Sequence, residues 1–166
     1  PCSMLTGEGA RCDHLGIAFA TEGQWQDTGA KVFHLAPNTS SKITSKSVSK
    51  DGGACVYRGV LHIAPNAKNS TASIECDALL LDDKSRTDTV PDIKVRNNDV
   101  TIAHEASVGK LSEEDLFYFT SRGIEEDEAK AMIVNGFMDP IVRELPLEYA
   151  IEMNRLIELE MEGSVG

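Results

Sequence analysis

Two hydrophobic rhythms meet near Lys110. Before it, apolar residues alternate with polar ones over short runs: Leu15, Ile17, Phe19; Leu61, Ile63; Leu79, Leu81; Ile93, Val95; Val100, Ile102. Turn-forming clusters such as Asp51-Gly52-Gly53 and Arg96-Asn97-Asn98-Asp99 separate these runs. A period of two bounded by such residues predicts short strands divided by turns. Ser and Thr are dense in the same region, which suits sheet faces better than helices. After Lys110 the rhythm becomes helical. Ser112-Glu113-Glu114-Asp115 resembles a capping box ahead of Leu116, Phe117 and Phe119, and Gly123 supplies the stop. A second helix is predicted from about Glu125 to Met138, burying Ala129, Met132, Ile133 and Phe137. Pro146 then opens a third helix carrying Leu147, Ala150, Ile151, Leu156 and Leu159. The reading is a strand-rich body over 1–110 followed by a small helical domain over 111–166.

An internal similarity narrows the architecture. His34-Leu35-Ala36-Pro37-Asn38 returns as His62-Ile63-Ala64-Pro65-Asn66, 28 residues on. A looser pattern, apolar-x-apolar-x-x-Asn, recurs from Leu61 to Asn66 and from Ile93 to Asn98, at an offset of 32. Repeats of this size with short strands and turns suit the coils of a solenoid such as a parallel β-helix, with a jelly roll as the alternative. His34 and His62 then fall at equivalent positions, and a shared structural role is expected of them.

Composition removes several classes. Hydrophobic content is 41% and charged content 26%, both ordinary for a folded domain. The net charge of −11, concentrated after residue 110, disfavours a phosphate backbone as partner. No apolar run reaches membrane-span length, and no signal-peptide pattern opens the chain. The chain begins inside what reads as ongoing structure, as if an upstream portion were missing. Cysteines 2, 12, 55 and 76 form no C-x-x-C pair, which points to reduced thiols and a cytoplasmic setting. No Walker A loop, G-x-S-x-G elbow, H-E-x-x-H or G-x-G-x-x-G occurs. Four histidines spread over 14, 34, 62 and 104 do not suit a cupin-like metal enzyme.

One constellation carries chemistry. His104-Glu105 lies 28 residues beyond Cys76, the same offset as the pentapeptide repeat. If that offset is one layer, a soft thiolate, an imidazole and a carboxylate come within reach of one metal. Each residue also has a plainer role: Cys76 as a small buried hydrophobe, His104 as a satisfied core histidine, Glu105 as an exposed strand carboxylate. His104 and Glu105 are neighbours on a strand and point to opposite faces, so spacing leaves the choice between them open.

Gln26-Asp27-Thr28-Gly29, Ser45-Lys46-Ser47, Tyr57-Arg58-Gly59 and Cys76-Asp77-Ala78-Leu79-Leu80 resemble the C-terminal part of SufB, in the SufB/SufD family of iron–sulfur cluster assembly scaffolds. So do His104-Glu105-Ala106, Glu114-Asp115-Leu116-Phe117-Tyr118, Arg122-Gly123-Ile124, Ile133-Val134-Asn135-Gly136-Phe137, Leu145-Pro146-Leu147-Glu148-Tyr149-Ala150 and the terminal Glu162-Gly163-Ser164-Val165-Gly166. The resemblance implies a right-handed parallel β-helix followed by a C-terminal helical domain. It implies a non-catalytic scaffold of the SUF system that builds a transient iron–sulfur cluster for transfer to apo-proteins, with flavin in the full complex. Cys76 matches the family cysteine of nascent cluster assembly, Glu105 the carboxylate implicated with it, and His104 the neighbouring histidine. Implied partners are a SufC-like ATPase on the C-terminal helices, a SufD-like paralogue or a second copy on the β-helix, and a sulfur donor. SufB is considerably longer, and its sulfur-receiving cysteine has no counterpart among Cys2, Cys12 and Cys55. Self-association as a homodimer is expected, and a purely structural interaction module is the alternative function.

Overall fold

The computed structural model describes residues 1–162; the terminal segment 163–166, and with it most of the last matching motif, lies outside the described residues. The chain forms two compact units, Pro1–Gly109 and Lys110–Gly166.

The first unit is a parallel β-solenoid of nine strands: β1 (Cys2–Leu5), β2 (Arg11–Ala20), β3 (Trp25–Thr28), β4 (Lys31–His34), β5 (Ser40–Ser49), β6 (Ala54–Ile63), β7 (Ser70–Leu80), β8 (Arg86–Val95) and β9 (Val100–Lys110). One sheet stacks β2, β5, β7 and β9; the other joins β1, β3, β4, β6 and β8, with β3 and β4 lying end to end along β6. Gly29 permits that join, because a Cβ there would meet the Arg58 carbonyl oxygen. Each coil thus supplies a strand to each sheet, and the chain advances by one layer per turn.

Layer length differs from the sequence repeat. Cys2 pairs with Lys31 and Arg11 with Ser40, both 29 apart; Ser40 then pairs with Thr71, 31 apart, and Ala54 with Arg86, 32 apart. None of these strand pairs keeps the offset of 28. The pentapeptide match is therefore slipped by one residue in its strand portion: His34 stands beside Ile63, and His62 beside Phe33. The equivalence expected of the two histidines fails for that reason. His34 points inward and is fully buried, whereas His62 lies outside, edge-on to Phe33 with ring centroids 5.1 Å apart. True layer equivalents at this corner are Asn38 and Asn69. Both adopt positive φ (58° and 51°), and Asn69 Nδ2 donates to Asn38 Oδ1 at 2.6 Å.

The interior combines an apolar cluster, including Leu5, Val32, Ile43, Tyr57, Leu61, Ile63, Ile74 and Cys76, with buried polar ladders. His34 Nδ1 lies 2.8 Å from Thr39 Oγ1 and Nε2 lies 2.9 Å from Ser41 Oγ; Thr39 Oγ1 in turn meets Ser70 Oγ at 2.8 Å. In β2 the apolar run faces outward: Leu15 is exposed, while Ala18 and Ala20 are buried. The lumen beside this part of β2 takes small side chains, so the larger apolar residues of the strand stand on its outer face.

The second unit holds α1 (Glu113–Thr120), α2 (Glu126–Val142) and α3 (Leu147–Glu162). The Ser112 cap forms as expected: Asp115 N donates to its Oγ at 3.1 Å, and Ser112 N donates to Asp115 Oδ2 at 3.3 Å. Gly123 (φ 84°) ends the following turn. The core prediction needs correction. The buried residues of α2 are Ala129, Val134, Met138, Ile141 and Val142, while Met132 is exposed and Ile133 and Phe137 are half-buried. The helix continues four residues past Met138, through Pro140, which moves its buried face toward the C-terminal turns. In α1 no side chain is buried, and Phe117 is 70% exposed. In α3, Leu147, Ile151 and Leu156 are exposed and Ile157 is buried. This unit carries 14 acidic and 5 basic residues, so nine of the eleven net negative charges reside in it. No helix among the described residues is long and apolar enough to cross a membrane.

Candidate functional site

Cys76 sits mid-strand on β7, in an inward column. Strand pairing stacks Gly16, Ser45 and Cys76 on successive layers of β2, β5 and β7. Each is a small residue, which the confined lumen at this column requires. The Cys76 side chain is buried at 5% exposure, within the cluster that also holds Ile43, Ile74 and Tyr57. The Tyr57 ring is accommodated by Gly59, where a Cβ would lie 2.7 Å from ring atom Cε1. The Tyr57 hydroxyl, with Thr44 Oγ1 and Asn135 Oδ1, is among the buried polar atoms without a well-formed hydrogen bond in the described structure. Its neighbour is the Cys76 sulfur, toward which it donates only weakly.

This environment sets the thiol's chemistry. Burial pushes the Cys76 thiol up to about 11, the negative charge of Asp77 adds to the rise, and the Tyr57 hydroxyl opposes it. At neutral pH the group is a protonated thiol. Asp77 itself is held below its ordinary range: burial works to raise it, and hydrogen bonds from Ser107 and Lys46 outweigh that. Beside the column a cleft of about 470 Å³ is lined by His14, Gly16, Thr44, Ser45 and Tyr57, among others.

His104 and Glu105 lie on β9, the strand next to β7 at the end of its sheet, and both are exposed. Two contacts fix how β9 meets β7 here. Ser107 Oγ donates to Asp77 Oδ1, 30 residues away, at 2.6 Å. A Cβ on Gly109 would touch Leu79 Cδ1 at 3.7 Å, again 30 residues away. Ala106 therefore stands across from Cys76, with His104 and Glu105 just before it. Val100 and Ile102 pack on the inner cluster, so strict alternation puts His104 on the face of Cys76 and Glu105 on the outer face beside Glu75. The offset of 28 does not place either residue opposite Cys76, because the layer here is two residues longer. Among the described residues no group of three or more His, Cys, Asp or Glu side chains converges to hold a metal.

Sequence reasoning singled out Cys76, His104 and Glu105 and gave no role to Tyr57, Lys46 and Ser107. Tyr57-Arg58-Gly59 signals the ring slot only once Gly59 is known to face the Tyr57 ring. Lys46 and Asp77 are 31 apart, which becomes a spacing only when the layer length is known.

Residues 1–137 match the family model described as SUF system FeS cluster assembly, SufBD core domain. The chain belongs to this SufBD family. Over all 166 residues it is 58% identical to a curated "Iron-sulfur cluster assembly SufBD family protein" of Staphylococcus saprophyticus and 57% identical to one of Staphylococcus epidermidis, covering 36% of each. A third relative of the same description, from Mycobacterium tuberculosis, is 57% identical over the same 166 residues, which cover 20% of it. The chain thus spans about a third or less of the length of these relatives.

Proposed function

We propose that this chain is part of a SufB-type, non-catalytic scaffold of the SUF system, and that Cys76 supplies the first thiolate to a nascent iron–sulfur cluster. Cluster iron and sulfide are cargo on this reading, assembled and passed to apo-proteins in the cytoplasm. The observation that carries it is the position of Cys76: a buried thiol one strand from the exposed edge that bears His104 and Glu105. Thiolate suits iron; imidazole and carboxylate are harder, more exchangeable ligands, so a mixed set favours release over storage. With two or three protein donors at most, the remaining ligands come from sulfide or from a partner. A SufD-like paralogue or a second copy fits the open β8 and β9 edges, which present unpaired backbone groups and the exposed Val90, Ile93, Val95 and Val108. A SufC-like ATPase fits the helical unit, whose exposed Phe117, Tyr118, Leu147, Tyr149 and Ile151 are set among acidic residues. The test is anaerobic reconstitution with ferrous iron and sulfide. The chain should develop a charge-transfer chromophore that Cys76→Ala loses, and an unchanged spectrum in that variant sinks the assignment.

A second reading, a purely structural interaction module, is favoured by the depth of Cys76 and by its raised proton affinity. It predicts no chromophore in either protein, with partner binding intact.

A further inference from the structure

In the second half of β9 burial does little to set the register. Val100 and Ile102 anchor the first half on the inner cluster, but from Ala103 to Lys110 every residue is exposed. A strand not sorted by burial can slide along its neighbour, and a slide of one residue exchanges its two faces. On this strand the exchange is chemical: it swaps His104 and Glu105 with respect to Cys76. One side-chain chain resists it. Ser107 Oγ donates to Asp77 Oδ1 at 2.6 Å, and Lys46 Nζ donates to Asp77 Oδ2 at 2.9 Å. The Lys46 and Asp77 side chains are only 9% and 16% exposed, so their ion pair is partly shielded from water. The three residues belong to β5, β7 and β9, three successive layers of one sheet, and Ser107 follows Glu105 by two positions on the same outer face.

We infer that Lys46, Asp77 and Ser107 are positioning residues for the candidate site: they pin the second half of β9 so that His104, and not Glu105, shares the inner face with Cys76. Lys46 neutralises and orients the Asp77 carboxylate, and Asp77 holds the Ser107 hydroxyl, which fixes the strand two residues beyond the His-Glu pair. The relevance to cluster assembly rests on the function proposed above; the pin does not.

Thiol crosslinking reads the register directly and needs no iron. In protein with Cys2, Cys12 and Cys55 replaced by serine or alanine, a second cysteine is introduced by Ala106→Cys or, separately, by Glu105→Cys. Dibromobimane then reports which position neighbours Cys76, since it fluoresces on bridging two adjacent thiols; strands about 4.8 Å apart suit it. Ala106→Cys should bridge to Cys76 and Glu105→Cys should not. Adding Ser107→Ala or Asp77→Asn should raise the Glu105→Cys yield relative to the Ala106→Cys yield about tenfold, the effect of losing one charge-assisted hydrogen bond on the balance between the two registers. Ser107→Thr, which keeps the hydroxyl, should leave that ratio unchanged. A ratio unmoved by Ser107→Ala overturns the inference, and so does preferential bridging by Glu105→Cys in the otherwise unaltered strand. Ser107 is exposed, so its alanine variant decides the matter even if Asp77→Asn folds poorly. The Cys76→Ala chromophore test judges the cluster reading separately.

Discussion

Acid should loosen the solenoid through His34. Its ring is fully buried, its neighbours Thr39 and Ser41 are neutral hydroxyls, and burial lowers its proton affinity from the ordinary value of 6.5. The Thr39 hydroxyl donates to the Ala36 carbonyl at 3.1 Å, which assigns the ring proton to Nδ1 and makes Nε2 the acceptor from Ser41. Protonation would place a second donor, and a charge, where no carboxylate stands ready to receive it. Below pH 6.5 the unfolded chain therefore binds a proton that the folded chain refuses. Unfolding free energy falls as pH falls, with a slope of at most about 1.4 kcal/mol per pH unit for one such group. The loss begins near the unfolded value and continues down to the folded one. Asp77 and Asp82, both lowered in the fold, contribute in the same direction only near and below their ordinary value of 3.8. Urea unfolding followed by far-ultraviolet circular dichroism should thus show a drop of up to about 1.4 kcal/mol between roughly pH 7.5 and pH 5.5. His34→Gln should start about 1–3 kcal/mol lower, from the broken buried network, and should flatten this part of the profile. A flat profile in the unaltered protein, or an identical slope in His34→Gln, refutes the reasoning.

Two further outcomes follow from local geometry. Tyr57→Phe removes a buried hydroxyl that lacks a well-formed hydrogen bond, so thermal stability should hold or rise by up to about 1 kcal/mol, and a loss of more than that would show an unrecognised partner. Ser112→Ala removes the hydroxyl that accepts from Asp115 N, leaving only the Ser112 backbone N–H bond to Asp115 Oδ2, and should cost about 1 kcal/mol in the helical unit, read as lost ellipticity at the helical minimum on mild heating.

The strands and the Ser112 cap were legible because each is encoded within a few residues. What escaped the sequence depends on distances that only stacking defines. Apolar alternation located β2, yet Leu15, Ile17 and Phe19 lie on its outer face, and the inner face there carries the small Gly16, Ala18 and Ala20. The pentapeptide repeat misled as a ruler, because its strand portion is one residue out of step with the layer and Asn38 stacks on Asn69, not on Asn66. Cys76, His104 and Glu105 were identified as individuals; their mutual placement needed a 30-residue layer that no motif announces. In the helical unit, heptad-like counting chose Met132 and Ile133, and the continuation of α2 to Val142 shifted the buried stripe to Val134, Met138 and Ile141.

The unequal coils have a mechanical consequence. Layers lengthen from 29 residues to 31 and 32 along the solenoid and then shorten to 30, yet the paired strands β2, β5, β6 and β8 remain ten residues long. The variation in length falls in the connections outside these strands, which leaves the inner columns undisturbed. The fold therefore separates two kinds of mutation. An insertion at a corner such as 81–85 changes the contour of the rod and nothing inside it. The same insertion within β7 would turn the lumen inside out from that point on, carrying Cys76 to the surface and Asp77 into the core.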